Sequence, residues 1–366
     1  MRNLSNIYKI VILYIICIIP FCVNAQFLCD LSYRTESYYG FILNHHPHMK
    51  HLTQAHFPAF EFSVEKQTDG SAEWHQYYRY PKIGLSFWYS SLGKNEYLGY
   101  SLALIPYIDF PLIKKKSRYK TYFQLGCGIG YLSNPFDRID NIKNNAIGSH
   151  YNATIRVMLD QYYKINDNFN ISTGIGLTHF SNGAVTMPNY GINNATIKFG
   201  LTYIPSITER KNIKFEKKSI PKWQFDIYSL TGIKENYPPC GPKYWSTTLC
   251  ADIVHLVNRG IDIYSGIDFI YDEAKKNILM TDSVIINNNI EYVQCGLKTA
   301  IAWKMNNFSI HLQLGAYIYT KCKKNAYIYD RLMLRYKFRE HWLFNIALKT
   351  HYGRADVFEW GIGYRF

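Results

Sequence analysis

After its first 25 residues the chain contains no run approaching the ~18–20 consecutive apolar residues that a membrane-spanning helix needs, so a helical membrane protein is excluded. Charged residues are scarce, at 19% of the chain. Cysteine is used without pattern: beyond Cys17 and Cys22 there are Cys29, Cys127, Cys240, Cys250, Cys295 and Cys322, with no CxxC pair and no metal framework. A loop disulfide between Cys240 and Cys250 stays open, because Cys250 sits in an expected strand. No acidic residue occurs anywhere in 183–192, an absence that bears on the candidate chemistry.

What is present is aromatic. Phe, Trp and Tyr make up 17% of the residues, including 33 Tyr. The first 25 residues read as a secretory signal: Arg2 and Lys9 form a positive start, Ile10 to Phe21 is almost wholly apolar, and Val23-Asn24-Ala25 ends in a small residue. An exported chain of short alternating segments, rich in aromatics, points to an all-β, antiparallel transmembrane β-barrel of the outer-membrane type. The final strand supports this over a secreted sandwich. Phe358, Trp360, Ile362, Tyr364 and Phe366 fill every second position, and an aromatic C-terminus is the kind of signal that barrel-assembly machinery reads. The formal charge of +14 then suits anionic lipid, such as lipopolysaccharide with its phosphates, rather than nucleic acid.

Alternation predicts eight strands in the first half, near 32–45, 57–66, 81–91, 97–112, 119–133, 152–165, 168–182 and 193–205. With a periplasmic start, odd strands run outward, so 46–56, 134–151 and 183–192 are external loops and 113–118 and 166–167 inner turns. The long inner connection 67–80 is an exception. A basic linker, 206–221, precedes about eight further strands in 222–366. Two eight-stranded barrels or one of about sixteen strands both satisfy the pattern. Gly126, Gly128 and Gly130 on one face suit the narrow interior of a small barrel, favouring a complete unit over 26–205.

Within that unit, His179 and Ser181 lie two residues apart, on one face of a strand. They continue the apolar row Ile171, Thr173, Ile175, Leu177, while Ser172, Gly174, Gly176, Thr178, Phe180 and Asn182 form the small, polar row. In a membrane barrel the apolar row faces lipid. The parity of Asn193 with Ala195 and Ile197 turns it outward too. A His, a Ser and an Asn therefore meet on the lipid-facing wall near the outer leaflet, where polar groups are costly and commonly functional.

These residues, His179-Phe180-Ser181-Asn182 followed by Pro188-Asn189 and Gly191, resemble the PagL family of outer-membrane lipid A 3-O-deacylases, over roughly Gln26 to Pro205. The resemblance implies an eight-stranded barrel with an outward-facing serine esterase site and no cofactor, acting on lipid A in the outer membrane of a Gram-negative bacterium. It implies Ser181 as nucleophile, His179 as base, and Asn189 with the backbone around Asn182 to Ala184 holding the oxyanion. The family's Glu falls on Asn193 here, and an amide can orient an imidazole without offsetting its charge, so slower turnover is expected. The alternative function is a non-enzymatic barrel, either a pore or a surface-interaction protein.

Two other features are weighed against blander roles. His45, His46, His48, His51 and His56 crowd the first external loop; zinc binding is conceivable, but a solvated or substrate-facing loop is the preferred reading. Lys349-Thr350-His351-Tyr352-Gly353 echoes the motif, yet glycine replaces the serine and His351 turns inward, which leaves a structural echo.

Overall fold

In a bilayer no water satisfies a backbone amide, and each orphan costs several kcal/mol, so a sheet can span only if it closes on itself. The computed structural model closes twice. It describes residues 30–113, 117–215, 222–281, 292–322 and 327–366; the expected signal and Cys29 lie outside the described residues. The first barrel comprises β1 (Ser32–Ile42), β2 (His56–Gln67), β3 (Lys82–Ser90), β4 (Ser101–Pro111), β5 (Tyr119–Leu132), β6 (Tyr151–Lys164), β7 (Phe169–Ser181) and β8 (Ile192–Tyr203). The second comprises β9 (Trp223–Glu235), β10 (Lys243–Leu256), β11 (Ile261–Asp272), β12 (Val293–Met305), β13 (Phe308–Tyr319), β14 (Ile328–Phe338), β15 (Trp342–His351) and β16 (Arg354–Arg365). β8 returns to pair with β1, and β16 with β9, all antiparallel. The two-barrel arrangement therefore holds, and the single large barrel does not.

Strand parity follows the sequence. Phe60, Phe62, Phe87, Leu104 and Phe199 are exposed on the outside of the first barrel, and Trp360, Ile362 and Phe366 on the outside of the second. Both interiors are filled. Arg34 lies 3.3 Å from both Glu65 and Asp109, and Lys198 bridges Glu36 and Asp160. In the second barrel Arg331 joins Asp268 to Glu359, and Arg365 pairs with Asp226, so the inward Glu359 and Arg365 are both neutralised. Trp88 is wholly buried inside the first barrel, and Tyr329 inside the second. Charges in such a place are tolerated because each has an opposite partner. This packing gives a pore no support.

Local departures from the sequence reading have physical causes. β4 starts at Ser101 rather than near 97, because Leu92, Gly93 and Gly99 adopt positive φ and wrap the preceding residues into turns that bury Leu98. Cys250 is buried and Cys240 exposed, both as free thiols, so the possible disulfide is not formed. His351 does face the lumen, against Tyr317 and Asp356.

The long inner connection has a structural role. It carries α1 (Glu73–Tyr77), which docks on the β10–β11 hairpin of the second barrel. The Tyr78 hydroxyl donates to the Gly260 carbonyl at 2.8 Å, Tyr77 donates to Asn258 at 3.0 Å, and Arg259 pairs with Glu73. Burial, and secondarily Tyr77, pushes the Tyr78 phenol well above its ordinary pKa, so the donor stays protonated into alkaline solution. Residues 206–215 pack on the same connection: the Lys211 amide donates to Asp69, and the Gln76 side chain to the Ile213 carbonyl. At the opposite end the Glu235 amide donates to the Ala184 carbonyl at 2.9 Å, and Lys243 reaches both Glu235 and Thr186. The barrels thus stand side by side in the same orientation, clamped at both ends.

A Cβ on Gly260 would lie 2.0 Å from the Tyr77 ring. Gly260→Leu is therefore expected to open the inner clamp while both barrels stay closed. Proteolysis in 204–222 should accelerate on the order of tenfold, the equivalent of about 1.4 kcal/mol, with the heat-modifiable gel shift retained. Unchanged cleavage would show that this contact does not hold the barrels together.

Candidate active site

The site is made by register. β7 and β8 pair His179 directly with Asn193, and β6 and β7 pair Ser181 with Ala153. Directly opposed residues project from the same face, so His179, Ser181 and Asn193 share the outer wall, as parity requires. The inward neighbours Thr178 and Phe180 are wholly buried in the barrel interior. Ser181 is only 4% exposed, because the second barrel and the 182–191 loop cover it.

The Asn193 Oδ1 lies 2.5 Å from the His179 Nδ1. The Asn193 Nδ2 lies 3.0 Å from the His45 Nδ1, and the His45 Nε2 is 2.8 Å from the Tyr190 carbonyl oxygen. One proton assignment satisfies these three contacts, at the expense of the longer 3.3 Å approach of the His45 Nδ1 to the Leu43 carbonyl oxygen. His45 carries its proton on Nε2 and donates to Tyr190; its Nδ1 accepts from Asn193; Asn193 accepts from the protonated Nδ1 of His179. The His179 Nε2 is then left with its lone pair, the form a general base requires.

The hydroxyl of Ser181 is held differently. Asn189 Nδ2 donates to Ser181 Oγ at 2.9 Å, and the Gly183 amide donates to the same oxygen at 3.2 Å. Among the described residues no hydrogen bond joins Ser181 to His179. Asn189 is itself fixed by the Asn182 amide, which donates to its Oδ1 at 3.1 Å. The Asn182 side chain points away from the serine, donating to Ser149 and to the Thr186 carbonyl. Gly183 and Ala184 both adopt positive φ, which turns the chain sharply and delivers the Ala184 carbonyl to Glu235 of the second barrel. Of the residues expected around the oxyanion, Asn189 and the Gly183 amide converge on the serine. Ala184 and the Asn182 side chain serve the loop.

The loop keeps its shape by packing. Ile147 forms an isolated bridge with Asn189, and the Gly191 amide donates to Ala146. Gly191, at φ +80, allows close approach: a Cβ there would meet the His179 Cε1 at 2.6 Å. The first-loop histidines divide their roles. His45 supports Asn193, His46 stacks on Tyr190 at 4.1 Å, His51 contacts the Lys143 carbonyl, and His56 stacks on Tyr39. The His46 pKa sits below its ordinary value through burial first, then through the neighbouring His48, Arg354 and His45. Among the described residues, no three His, Cys, Asp or Glu side chains are grouped to hold a metal ion. His45 is the site residue that strand parity could not reveal; its signal is only its membership of a histidine-rich loop at the correct end of the barrel.

Residues 59–202 match the family model described as lipid A 3-O-deacylase (PagL), and residues 223–366 match the model described as acyloxyacyl hydrolase, C-terminal domain. Among solved structures, the chain is similar to neisserial surface protein A (TM-score 0.35, 9% identity, covering 48% of this chain and 96% of that one). It is similar to the outer-membrane enzyme PagL (TM-score 0.30, 16% identity, 46% and 97%). A mutant Rhodopseudomonas blastica porin also matches (TM-score 0.18, 6% identity, 92% and 99%). No curated protein matches the sequence.

If His45 acts only by orienting Asn193, His45→Ala should lower kcat on the order of tenfold, about 1.4 kcal/mol of barrier, with KM little changed. Gly191→Ala, which pushes on the imidazole itself, should cost at least as much. Wild-type kcat for both variants in an ester-hydrolysis assay would remove His45 and Gly191 from the site.

Proposed function

The chain belongs to the PagL family of lipid A 3-O-deacylases, and from that membership we propose that it cleaves an ester-linked acyl chain of lipid A in place, with Ser181 as nucleophile and His179 as its base. Membership makes it an outer-membrane protein of a Gram-negative bacterium and a hydrolase of lipid A esters. The observation that carries the catalytic assignment is the oriented chain from Tyr190 through His45 and Asn193 to the His179 Nδ1, which leaves Nε2 as acceptor on the face that carries Ser181.

In the proposed reaction the ester carbonyl enters beside Ser181 and takes the Asn189 and Gly183 donors for its own oxygen. The freed hydroxyl turns to the His179 Nε2 and loses its proton as Oγ attacks the carbonyl carbon. The tetrahedral oxyanion is held by those two donors, transferred from the serine oxygen to the attacked carbonyl beside it. Collapse expels the sugar alkoxide, which takes the proton from His179, and leaves an acyl-serine. Water, deprotonated by the same imidazole, then releases the fatty acid and restores the hydroxyl. Asn193 keeps the imidazole in its productive tautomer, but as a neutral amide it stabilises the imidazolium less than a carboxylate would.

Mass spectrometry of lipid A from cells expressing the protein tests this directly. Loss of one acyl chain is expected with the wild type, and an intact pattern with Ser181→Ala or His179→Asn. Indistinguishable patterns for wild type and Ser181→Ala would refute the assignment. Asn193→Ala should reduce the rate by roughly 10²–10⁴-fold, the range for losing acid–base function. Asn193→Glu should restore or exceed the wild-type rate, and a rate as low as that of Asn193→Ala would count against Asn193 as the orienting residue.

A further inference from the structure

The outward face of Ser181 does not open on bulk lipid; it opens on the second barrel. Strand register lines up Leu332 of β14, Leu348 of β15 and Phe358 of β16 in one outward row, and Leu334 with Ile346 in the row two residues deeper. These side chains face His179 and Ser181 across a narrow space of about 40 Å³. The fit is close at the turn after the serine: a Cβ on Gly183 would stand 2.7 Å from the Phe358 Cβ and 3.3 Å from Leu348. Apart from His179 and Ser181 the lining of this space is apolar side chains, glycine and the Cys127 thiol. On its periplasmic side it shares Cys127, Leu334 and Ile346 with a cleft of about 680 Å³ between the barrels.

We propose that the second barrel is the far wall of an acyl-chain slot, which receives the hydrocarbon tail of the ester cleaved at Ser181 and selects it by length. The occupant follows from the geometry. A lipid of the outer leaflet, with its ester carbonyl at Ser181, sends its chain toward the membrane midplane, along the line this cleft takes. The wall beside the nucleophile is hydrocarbon, the cleft beyond it is mostly apolar with Asn306, Asn307 and Ser309 at its periplasmic end, and its volume lies in the range of small-molecule sites. Moving a chain from lipid into such a slot gains little hydrophobic free energy, since both surroundings are equally apolar. Discrimination must come from shape, where each methylene that fits or clashes changes the rate by roughly 10–200-fold. This rests on the Ser181 hydrolase reading for the ester's position, but the slot itself can be tested apart from it.

Two measurements on the full chain in detergent micelles decide it. In the first, p-nitrophenyl esters of four to fourteen carbons are hydrolysed by wild type, by Leu334→Trp and Ile346→Trp in the deeper row, and by the lipid-facing control Leu297→Trp on β12. The slot variants should keep the four-carbon rate and lose long-chain rates on the order of tenfold, with the control unchanged. Chain-length profiles that are the same in all four proteins would overturn the slot. In the second, alkylation of Cys127 in the Ser181→Ala protein is followed by peptide mass spectrometry with and without tetradecanoate, using the exposed Cys240 as internal reference. Protection of Cys127 alone supports the slot, and equal alkylation with and without the fatty acid overturns it. Hydrolysis by Ser181→Ala at the wild-type rate would instead remove the nucleophile assignment, and Cys127 protection would still decide the slot.

Discussion

The structure depends on backbone hydrogen bonding in hydrocarbon. Because every amide in the bilayer must be paired within the sheet, each barrel has to close, and closure fixes the register of every strand. Register fixes faces. The polar interior of each barrel is then obliged to neutralise itself, as Arg34, Lys198, Arg331 and Arg365 do with their acidic partners. The same constraint places His179 opposite Asn193 without any dedicated loop to hold them. Rigid strands therefore carry His179 and Asn193, the proposed base and its proposed orienting residue.

That division of labour extends to the remainder of the site. The strands supply His179, Ser181 and Asn193, while the loops supply Asn189, His45 and the tight approach at Gly191. A polar cluster on a lipid-facing wall would ordinarily be a liability. Here the 182–191 loop and the second barrel cover it, so the reaction would proceed in a site sealed from water on most sides, where hydrogen-bond donors act at low dielectric. The second barrel is thus part of the site's surroundings. Its two clamps, at Glu235 and at α1, hold the covering wall in place.

Much of this was legible in the amino-acid sequence, because a period of two is a local property. Ile171 to Ser181 announces its outward face residue by residue, and the predicted strands of the first half agree with the observed ones to within a few positions. What the pattern could not carry is non-local. Alternation is the same for eight strands as for sixteen, and only the return of β8 to β1 separates the two. The contact between His45 and Asn193 spans 148 positions and depends on how two loops fold over each other. Parity placed Asn193 beside His179 correctly, but the Asn189 grip on the serine hydroxyl arises from loop packing. The long inner connection looked anomalous because its partner, the β10–β11 hairpin, lies more than 170 residues away.

The central claim is that Ser181 is a nucleophile activated by His179 on the outer wall of the first barrel. Labelling the purified protein with a long-chain fluorophosphonate, and mapping the adduct by peptide mass spectrometry, tests this most directly. The account predicts one phosphonylated site, Ser181, with labelling abolished in His179→Asn and slowed in Asn193→Ala. Lipid A hydrolysis by a protein whose Ser181 stays unlabelled, or labelling that is indifferent to His179, would contradict it.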